Sequence, residues 1–230
     1  MLKIPPQKNF LIFWLLVLTD LSSIGFGFGG LHYLVKPLLM PVLMVSLMYP
    51  DMKMPGKKII LGGLFFSWLG DIFLLFESGQ SLYFIAGLVC FLITHICYII
   101  YFLSIRSDAP SFLKKHPAYL LLIPGYGAAL VYLLFPYLGI LKIPVIVYGA
   151  TICAMLLGSL HVYLKVKAPA NRYFVSGAAL FVLSDSLLAF NKFYQPLPFA
   201  GIWIMLSYCA AQFLIVLGLT GMVDSVKYKG

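Results

Sequence analysis

The sequence predicts an all-α membrane protein, a polytopic bundle of about eight transmembrane helices. Of the 230 residues, 62% are hydrophobic and 10% are charged, and the mean hydropathy is +1.00, whereas about a quarter of the residues are charged in soluble domains. Apolar runs of roughly 20 residues, long enough to cross a bilayer, recur along the whole chain. We therefore expect residues 1–230 to form one integral membrane domain without a separate soluble part.

Charged residues, prolines and glycines mark the ends of the predicted spans. At roughly 20 residues each, the spans cover about 10–28, 31–49, 58–76, 81–104, 117–135, 141–164, 173–191 and 198–222. Because every connection between them is short, the spans are expected to pack as one bundle of helices.

The basic residues predict the orientation of this bundle, because cytoplasmic loops carry an excess of Lys and Arg. One side has only Lys142 and Lys192. The opposite side has Lys3, Lys8, Lys53, Lys57, Lys58, Arg106, Lys114, Lys115, Lys165, Lys167, Arg172, Lys227 and Lys229. Both termini are therefore predicted to be cytoplasmic, and the net charge of +9 reflects topology. No nucleic-acid partner is predicted, since no separate domain carries these charges.

Three charged residues are predicted to lie at one depth inside the outer half of the bundle. Asp71 and Asp185 each lie about 9 Å from the outer end of a span that runs outward, and Lys36 lies about one and a half turns below the same surface. A charge in hydrocarbon costs at least a few kcal/mol, so such groups are expected to face the bundle interior and to pair. A structural alternative stays open, in which Lys36 extends toward the interface or clamps one aspartate.

Two carboxyl groups near one cation are a natural acid and base pair. The aspartate beside Lys36 is expected to stay ionised and the other to be protonated. Asp71 and Asp185 are therefore predicted to be catalytic, with neither a metal nor a cofactor required.

Further polar residues inside the predicted spans are candidates for binding a substrate or for supporting the two carboxyl groups. They are Lys36, Ser67, His95, Tyr98, Tyr148, Ser184, Asn191, Tyr208 and Gln212. Each of the uncharged ones also fits a role in hydrogen bonding between helices. Glu77 is expected to be solvated at a helix end, and Asp20 has no assigned role.

The surroundings of the two aspartates resemble each other. LGDIFLLF, residues 69–76, and LSDSLLAF, residues 183–190, share Leu, Asp, Leu and Phe at matching positions, 114 residues apart. At the same offset FIAGL, residues 84–88, faces PFAGI, residues 198–202. This pattern predicts an internal repeat of two parallel four-helix units that place one aspartate each at a central site.

Several of these segments carry a resemblance to a known family. They are Lys36 with Pro37, Ser67 with Gly70, Asp71 and Leu74, GLVCFLITHICY at 87–98, GAALFVLSDSLLAFNKF at 177–193 and YCAAQFLI at 208–215. The chain resembles the YhhN, or lysoplasmalogenase, family of multi-pass membrane proteins. That resemblance implies a membrane hydrolase that cleaves the vinyl ether bond of a lysophospholipid substrate, a lysoplasmalogen, to a fatty aldehyde and glycerophosphoethanolamine or glycerophosphocholine.

Other functions remain open at this level. A second enzymatic possibility is metal-dependent lipid hydrolysis, with His95 and the aspartates as ligands. A function without catalysis is a proton-coupled transporter or a lipid-binding membrane protein that uses the same buried carboxylates. The membrane is predicted to be the plasma membrane in a bacterium and the endoplasmic reticulum in a eukaryote, and the sequence leaves the oligomeric state open.

Overall fold

The computed structural model describes residues 7–48, 56–77 and 81–227, and these ranges contain helices, turns and no strand. The helices are α1 (Gln7–Gly25), α2 (Gly29–Met48), α3 (Lys57–Leu75), α4 (Ser81–Ser104), α5 (Phe112–Lys115), α6 (Tyr119–Leu134), α7 (Lys142–His161), α8 (Ala170–Ala189) and α9 (Ala200–Lys227). Two 3₁₀ turns join α6 to α7, and a π-helical turn at Phe190–Tyr194 prolongs α8.

Eight of these helices are long and apolar enough to cross a membrane. They coincide with the eight predicted spans, with ends that differ by a few residues, so the predicted all-α bundle is confirmed. The remaining helix, α5, is a single turn in the connection between α4 and α6. Its N-cap is Ser111, whose side chain accepts a hydrogen bond from the backbone N–H of Leu113 and so satisfies a free donor at the helix start.

Glycines bring α3 and α4 together closely. A methyl group added at Gly63 would lie 2.5 Å from the Tyr98 ring, and one at Gly70 would lie 2.8 Å from the Phe91 ring. Without a hydrophobic force between helices in lipid, such close packing is the main source of association. These contacts fix how α4 presents its polar face to α3 and α8.

The buried core draws side chains from every membrane-spanning helix except α6, and aromatic rings of α4 and α8 meet in it. The buried Phe174 ring packs against Tyr101 and Phe102 with ring centroids 5.6 Å and 5.4 Å apart. In contrast, α6 lies at the edge of the bundle against α7, and Leu134 is its one buried residue. A peripheral α6 leaves room for a crevice between it, α7 and α8.

Helix α2 contains two prolines, and their effect on the backbone is compensated by α3. Pro41 has no N–H, so the carbonyl oxygen of Pro37 loses its helical hydrogen bond. The indole Nε1 of Trp68 donates to this carbonyl oxygen at 2.8 Å. Such replacement is required in lipid, where water is absent. This bond ties α2, and with it Lys36, to α3.

We expect Trp68→Phe to lower the thermal stability of the protein in detergent, because it leaves the Pro37 carbonyl without a donor. An unsatisfied buried carbonyl costs about 1–3 kcal/mol. The matched control is Trp203→Phe on α9, since the Trp203 side chain is 55% exposed. Equal unfolding temperatures for the two variants would contradict this role of Trp68.

Candidate active site

Two polar clusters lie inside the bundle, and each contains one of the two predicted aspartates. We call Asp20, His32, Lys36, Asp71 and Tyr208 the first cluster, and His95, Tyr148 and Asp185 the second cluster. Asp71 and Asp185 each lie four residues before the end of their helix, α3 and α8. Because the third and seventh spans run in the same direction, both aspartates lie toward the same end of the bundle.

Asp71 is the centre of the first cluster. Its side chain is 2% exposed, and its two carboxylate oxygens have different neighbours. The Tyr208 hydroxyl on α9 donates to Oδ2 at 2.7 Å, and Nζ of Lys36 lies 4.0 Å from Oδ1. The second distance is too long for a hydrogen bond, so the contact with Lys36 is electrostatic. The sequence left open whether Lys36 pairs with one aspartate as a structural clamp. This contact is present, and it joins α2 to α3.

Asp20 extends the first cluster to α1. Its Oδ1 lies 2.8 Å from Nδ1 of His32 on α2, while its buried Oδ2 has no hydrogen-bond partner among the described residues. His32 lies four residues before Lys36 on α2 and so shares its face, which places Asp20 and His32 beside the pair of Lys36 and Asp71. The sequence left Asp20 without a role, although the short connection between α1 and α2 was a signal that these two helices form a hairpin.

Asp185 is the centre of the second cluster. Its Oδ2 accepts a hydrogen bond from the Tyr148 hydroxyl on α7 at 2.9 Å and lies 3.0 Å from Nε2 of the fully buried His95 on α4. His95 Nδ1 is buried without a partner among the described residues, which favours the tautomer with the proton on Nε2. In that tautomer both contacts donate to Oδ2. Oδ1 accepts no hydrogen bond from the described part of the chain.

A chain of hydrogen bonds lies between the clusters. The Tyr98 hydroxyl donates to Oε1 of Gln212 at 2.5 Å, and Nε2 of Gln212 donates to the Ser67 hydroxyl at 2.7 Å. Ser67 in turn contacts Thr94 at 3.1 Å. The Phe181 ring lies next to this chain and contacts both clusters, with ring centroids 4.8 Å from His95 and 5.6 Å from Tyr208.

The structure therefore distributes the predicted site residues over several places. Lys36 and Tyr208 contact Asp71, His95 and Tyr148 contact Asp185, and Ser67, Tyr98 and Gln212 form the chain between them. Ser184 donates to the backbone oxygen of Ile204 at 3.1 Å, and the Asn191 side chain accepts from the backbone N–H of Leu197 at 2.9 Å. These last two residues connect α8 to the start of α9 and the turn before it. Among the described residues no hydrogen bond or ion pair joins the two aspartates directly.

An apolar cavity adjoins the second cluster. Its volume is about 50 Å³, and Asp185 and Tyr148 are among its few polar lining residues. The other lining residues are Phe84, Leu88, Tyr126, Gly127, Leu130, Val131, Leu134, Val145, Gly149, Ile152, Cys153, Ser186, Leu188, Ala189 and Phe193. Asp71 and Lys36 are not among them. No pattern in the sequence indicates this cavity, because its walls come from four different spans.

The cavity continues into a groove on the outside of the bundle. Gly127, Val131, Gly149 and Cys153 line both the cavity and this groove between α6 and α7. Large side chains of both helices, such as Tyr132 and Ile146, are exposed along or beside it. An apolar chain in the surrounding lipid thus has a lateral route toward Asp185.

The polar residues do not form an evident metal site. Within residues 7–48, 56–77 and 81–227, no three His, Cys, Asp or Glu side chains are grouped closely enough to hold an ion. His95 contacts Asp185, but Asp71 belongs to the other cluster.

Comparison with known proteins identifies the family. The model of the YhhN family matches residues 31–219, which include every residue of both clusters except Asp20. The chain belongs to the YhhN family. No solved structure gives a significant match to this YhhN protein.

Three relatives carry informative names. The Bos taurus protein named lysoplasmalogenase TMEM86A is 31% identical over 167 residues, which are 71% of this chain and 65% of that protein. Homo sapiens lysoplasmalogenase TMEM86A is 30% identical over 178 residues, covering 76% and 70%, and Homo sapiens lysoplasmalogenase TMEM86B is 34% identical over 171 residues, covering 70% and 62%. The matched part of this YhhN protein thus spans about two thirds of these relatives.

We expect Lys36→Met to destabilise the protein, because it leaves the Asp71 carboxylate buried without its cation. Removal of one partner of a buried ion pair costs on the order of 3 kcal/mol. The double variant Lys36→Met with Asp71→Asn should recover part of this loss, since it leaves no unpaired charge. Thermal unfolding in detergent measures both, with Lys142→Met as the control at a partly exposed lysine.

If the two substitutions lower the unfolding temperature additively, Lys36 and Asp71 are not coupled. The double-variant comparison isolates their interaction from the loss of the lysine side chain itself.

Proposed function

We propose that this YhhN protein hydrolyses the vinyl ether bond of lysoplasmalogens and releases a fatty aldehyde and glycerophosphoethanolamine or glycerophosphocholine. The observation that carries the proposal is the position of Asp185, a carboxyl group with two donors on one oxygen, in the wall of an apolar cavity. Membership of the YhhN family and the names of the relatives support the choice of substrate.

The first step is protonation of the β-carbon of the vinyl ether, which produces an oxocarbenium ion. Tyr148 and His95 both occupy Oδ2 of Asp185, so in the acid form that the mechanism requires, Oδ1 carries the proton. Asp185 donates this proton as the general acid. The resulting carboxylate is stabilised by the two hydrogen bonds to Oδ2 and by the positive charge of the ion beside it.

The second step is addition of water to the oxocarbenium ion. A carboxylate accepts the proton that the water loses, and the product is a hemiacetal. The hemiacetal then collapses, with transfer of its hydroxyl proton to the leaving glycerol oxygen, to the aldehyde and the alcohol. One carboxyl group can perform both the donation and the acceptance, as in glycoside hydrolysis by retaining enzymes.

Asp71 is the second carboxyl group of the proposed mechanism. The Lys36 ammonium favours the ionised form of Asp71, and Tyr208 links Asp71 to the Phe181 ring that packs on His95. In the two-carboxylate form of the mechanism, Asp71 supplies the negative field that stabilises the oxocarbenium ion while Asp185 exchanges protons.

We also propose that the two clusters derive from a repeated four-helix unit. Tyr98 and Gln212 are separated by 114 residues, the offset between Asp71 and Asp185, and they contact each other. Residues related by a two-fold axis touch each other only near that axis. In the proposed repeat α2 corresponds to α7 and α4 corresponds to α9. The packing of α2 against α9 is therefore equivalent to the packing of α7 against α4, and both contacts are present.

A proton-coupled transporter remains the second candidate, because the buried pair of Lys36 and Asp71 is of the kind that moves protons through a bundle. Product formation by protein in detergent separates the two functions, since transport requires a sealed compartment. Detection of lysoplasmalogen uptake into proteoliposomes without aldehyde release would favour transport.

We expect Asp185→Asn to reduce aldehyde release from lysoplasmalogen by about 100-fold or more, the usual contribution of a general acid. Mass spectrometry of products from purified, folded protein measures this loss. Near-normal hydrolysis by Asp185→Asn would contradict the proposal. Asp71→Asn is expected to reduce the rate as well, and a near-normal rate for this variant would leave Asp185 as the only carboxyl group in the chemistry.

We expect Leu130→Trp to shorten the alkenyl chain that the protein accepts, because the larger side chain fills the cavity beside Asp185. Rates with lysoplasmalogens of different chain length measure this shift. Leu121→Trp is the matched control, since Leu121 lies on the same helix but is 79% exposed and does not line the cavity. The same chain-length profile for both variants would show that the chain does not bind in this cavity.

A further inference from the structure

A pair of opposite charges lies at the rim of the cavity. Nζ of Lys192 is 3.4 Å from Oε1 of Glu77, which follows the end of α3, and the two side chains are 39% and 32% exposed. Neither the acid and base chemistry nor the packing of the core uses this pair. From the sequence, Glu77 is predicted to be solvated, and Lys192 is placed only on the side of the membrane with few basic residues.

The lining of the cavity leads directly to this pair. Nζ of Lys192 lies over the Phe84 ring, 4.7 Å from its centroid, and Phe84 lines the cavity. The next residue, Phe193, lines the cavity as well and packs on Phe84 with ring centroids 5.8 Å apart. The ammonium group is therefore at the polar end of a crevice that is otherwise apolar.

Lys192 also has a favourable distance from the proposed reacting atoms. It follows Asp185 by seven residues, which is about 10 Å farther along α8 and the π-helical turn that prolongs it. A lysoplasmalogen has only its three glycerol carbons between the vinyl ether oxygen and the phosphate ester oxygen. A substrate with its vinyl ether at Asp185 and its tail extending into the groove between α6 and α7 thus presents its phosphate near Lys192.

We propose that Lys192 and Glu77 bind the zwitterionic headgroup of the lysophospholipid, a proposal that rests on the function proposed above. Lys192 binds the phosphate, and Glu77 binds the ammonium group of ethanolamine or choline. In the free protein the two side chains neutralise each other. The headgroup replaces this contact with two contacts of the same kind, so no charge is left unpaired.

Lys36 is a poorer candidate for the phosphate. It is 7% exposed, lies against Asp71 and does not line the cavity. Use of Lys36 by the headgroup would leave Asp71 without its cation, which is costly for a buried carboxylate.

The test compares a lysoplasmalogen with the corresponding 1-O-alkenylglycerol, which has the same vinyl ether and no phosphate. We expect Lys192→Gln to reduce the preference for the phosphorylated substrate, expressed as the ratio of kcat/KM values, by about tenfold through KM, the usual effect of losing a hydrogen bond to a charged group. Lys192→Arg should retain the preference. Lys142→Gln is the matched control, because Lys142 is partly exposed and its Nζ lies over the Phe135 ring at 4.4 Å, as that of Lys192 lies over Phe84.

The Glu77 arm uses a third substrate, 1-O-alkenylglycerol 3-phosphate, which lacks the amine. Glu77→Gln should raise KM for the ethanolamine lipid and should not raise it for this phosphate. An unchanged ratio in Lys192→Gln, or an equal change in Lys142→Gln, would overturn the proposal.

A binding measurement separates failure of this proposal from failure of the proposed function. A lysophosphatidylethanolamine with a saturated ether chain cannot be hydrolysed at a vinyl ether, and we expect it to raise the unfolding temperature of the wild type more than the corresponding alkylglycerol. Loss of this difference in Lys192→Gln supports the headgroup site even if no substrate is cleaved. Equal stabilisation of both proteins would exclude the site.

Discussion

A carboxyl group in a membrane bundle needs partners from the protein, because hydrocarbon offers none. This requirement organises the interior of the protein. Asp71 is held by Lys36 and Tyr208, Asp185 by His95 and Tyr148, and Asp20 by His32. Asp71 and Asp185 therefore each join three helices, and Asp20 joins two. The positions of these partners decide which carboxyl group is available for chemistry.

The two principal clusters differ in their access to the outside. In the first, a tyrosine and a lysine face the two oxygens of Asp71, which is 2% exposed. In the second, both hydrogen-bond contacts fall on Oδ2 of Asp185, and the residue lines a cavity. The same residue type at matching positions of two similar segments thus has different surroundings. Such a difference is what allows two carboxyl groups to take different roles in one reaction.

The position of α6 explains why a cavity lies beside the second cluster. This helix packs on α7 and leaves most of its side chains exposed, whereas α1 and α2 cover the corresponding side of the first cluster. The crevice that remains has a mostly apolar lining and is charged at its rim, where Glu77 and Lys192 meet. This division matches a lipid with one chain and one polar head, and it places the proposed reaction between the two.

The sequence by itself determined the class of the protein and its eight spans, because length and hydropathy suffice to specify a helix that crosses a bilayer. It also identified Asp71, Asp185, Lys36, His95, Tyr148, Tyr208 and Gln212 as interior polar residues, since each is conspicuous in an apolar run. Only the tertiary structure decided that Lys36 and Tyr208 belong to Asp71 and that His95 and Tyr148 belong to Asp185. The depth of a residue follows from its count along one helix, but its neighbours depend on how the helices rotate and cross. For the same reason the sequence could not predict the cavity, whose walls come from four spans, or the pair of Glu77 and Lys192, which joins the ends of two distant spans.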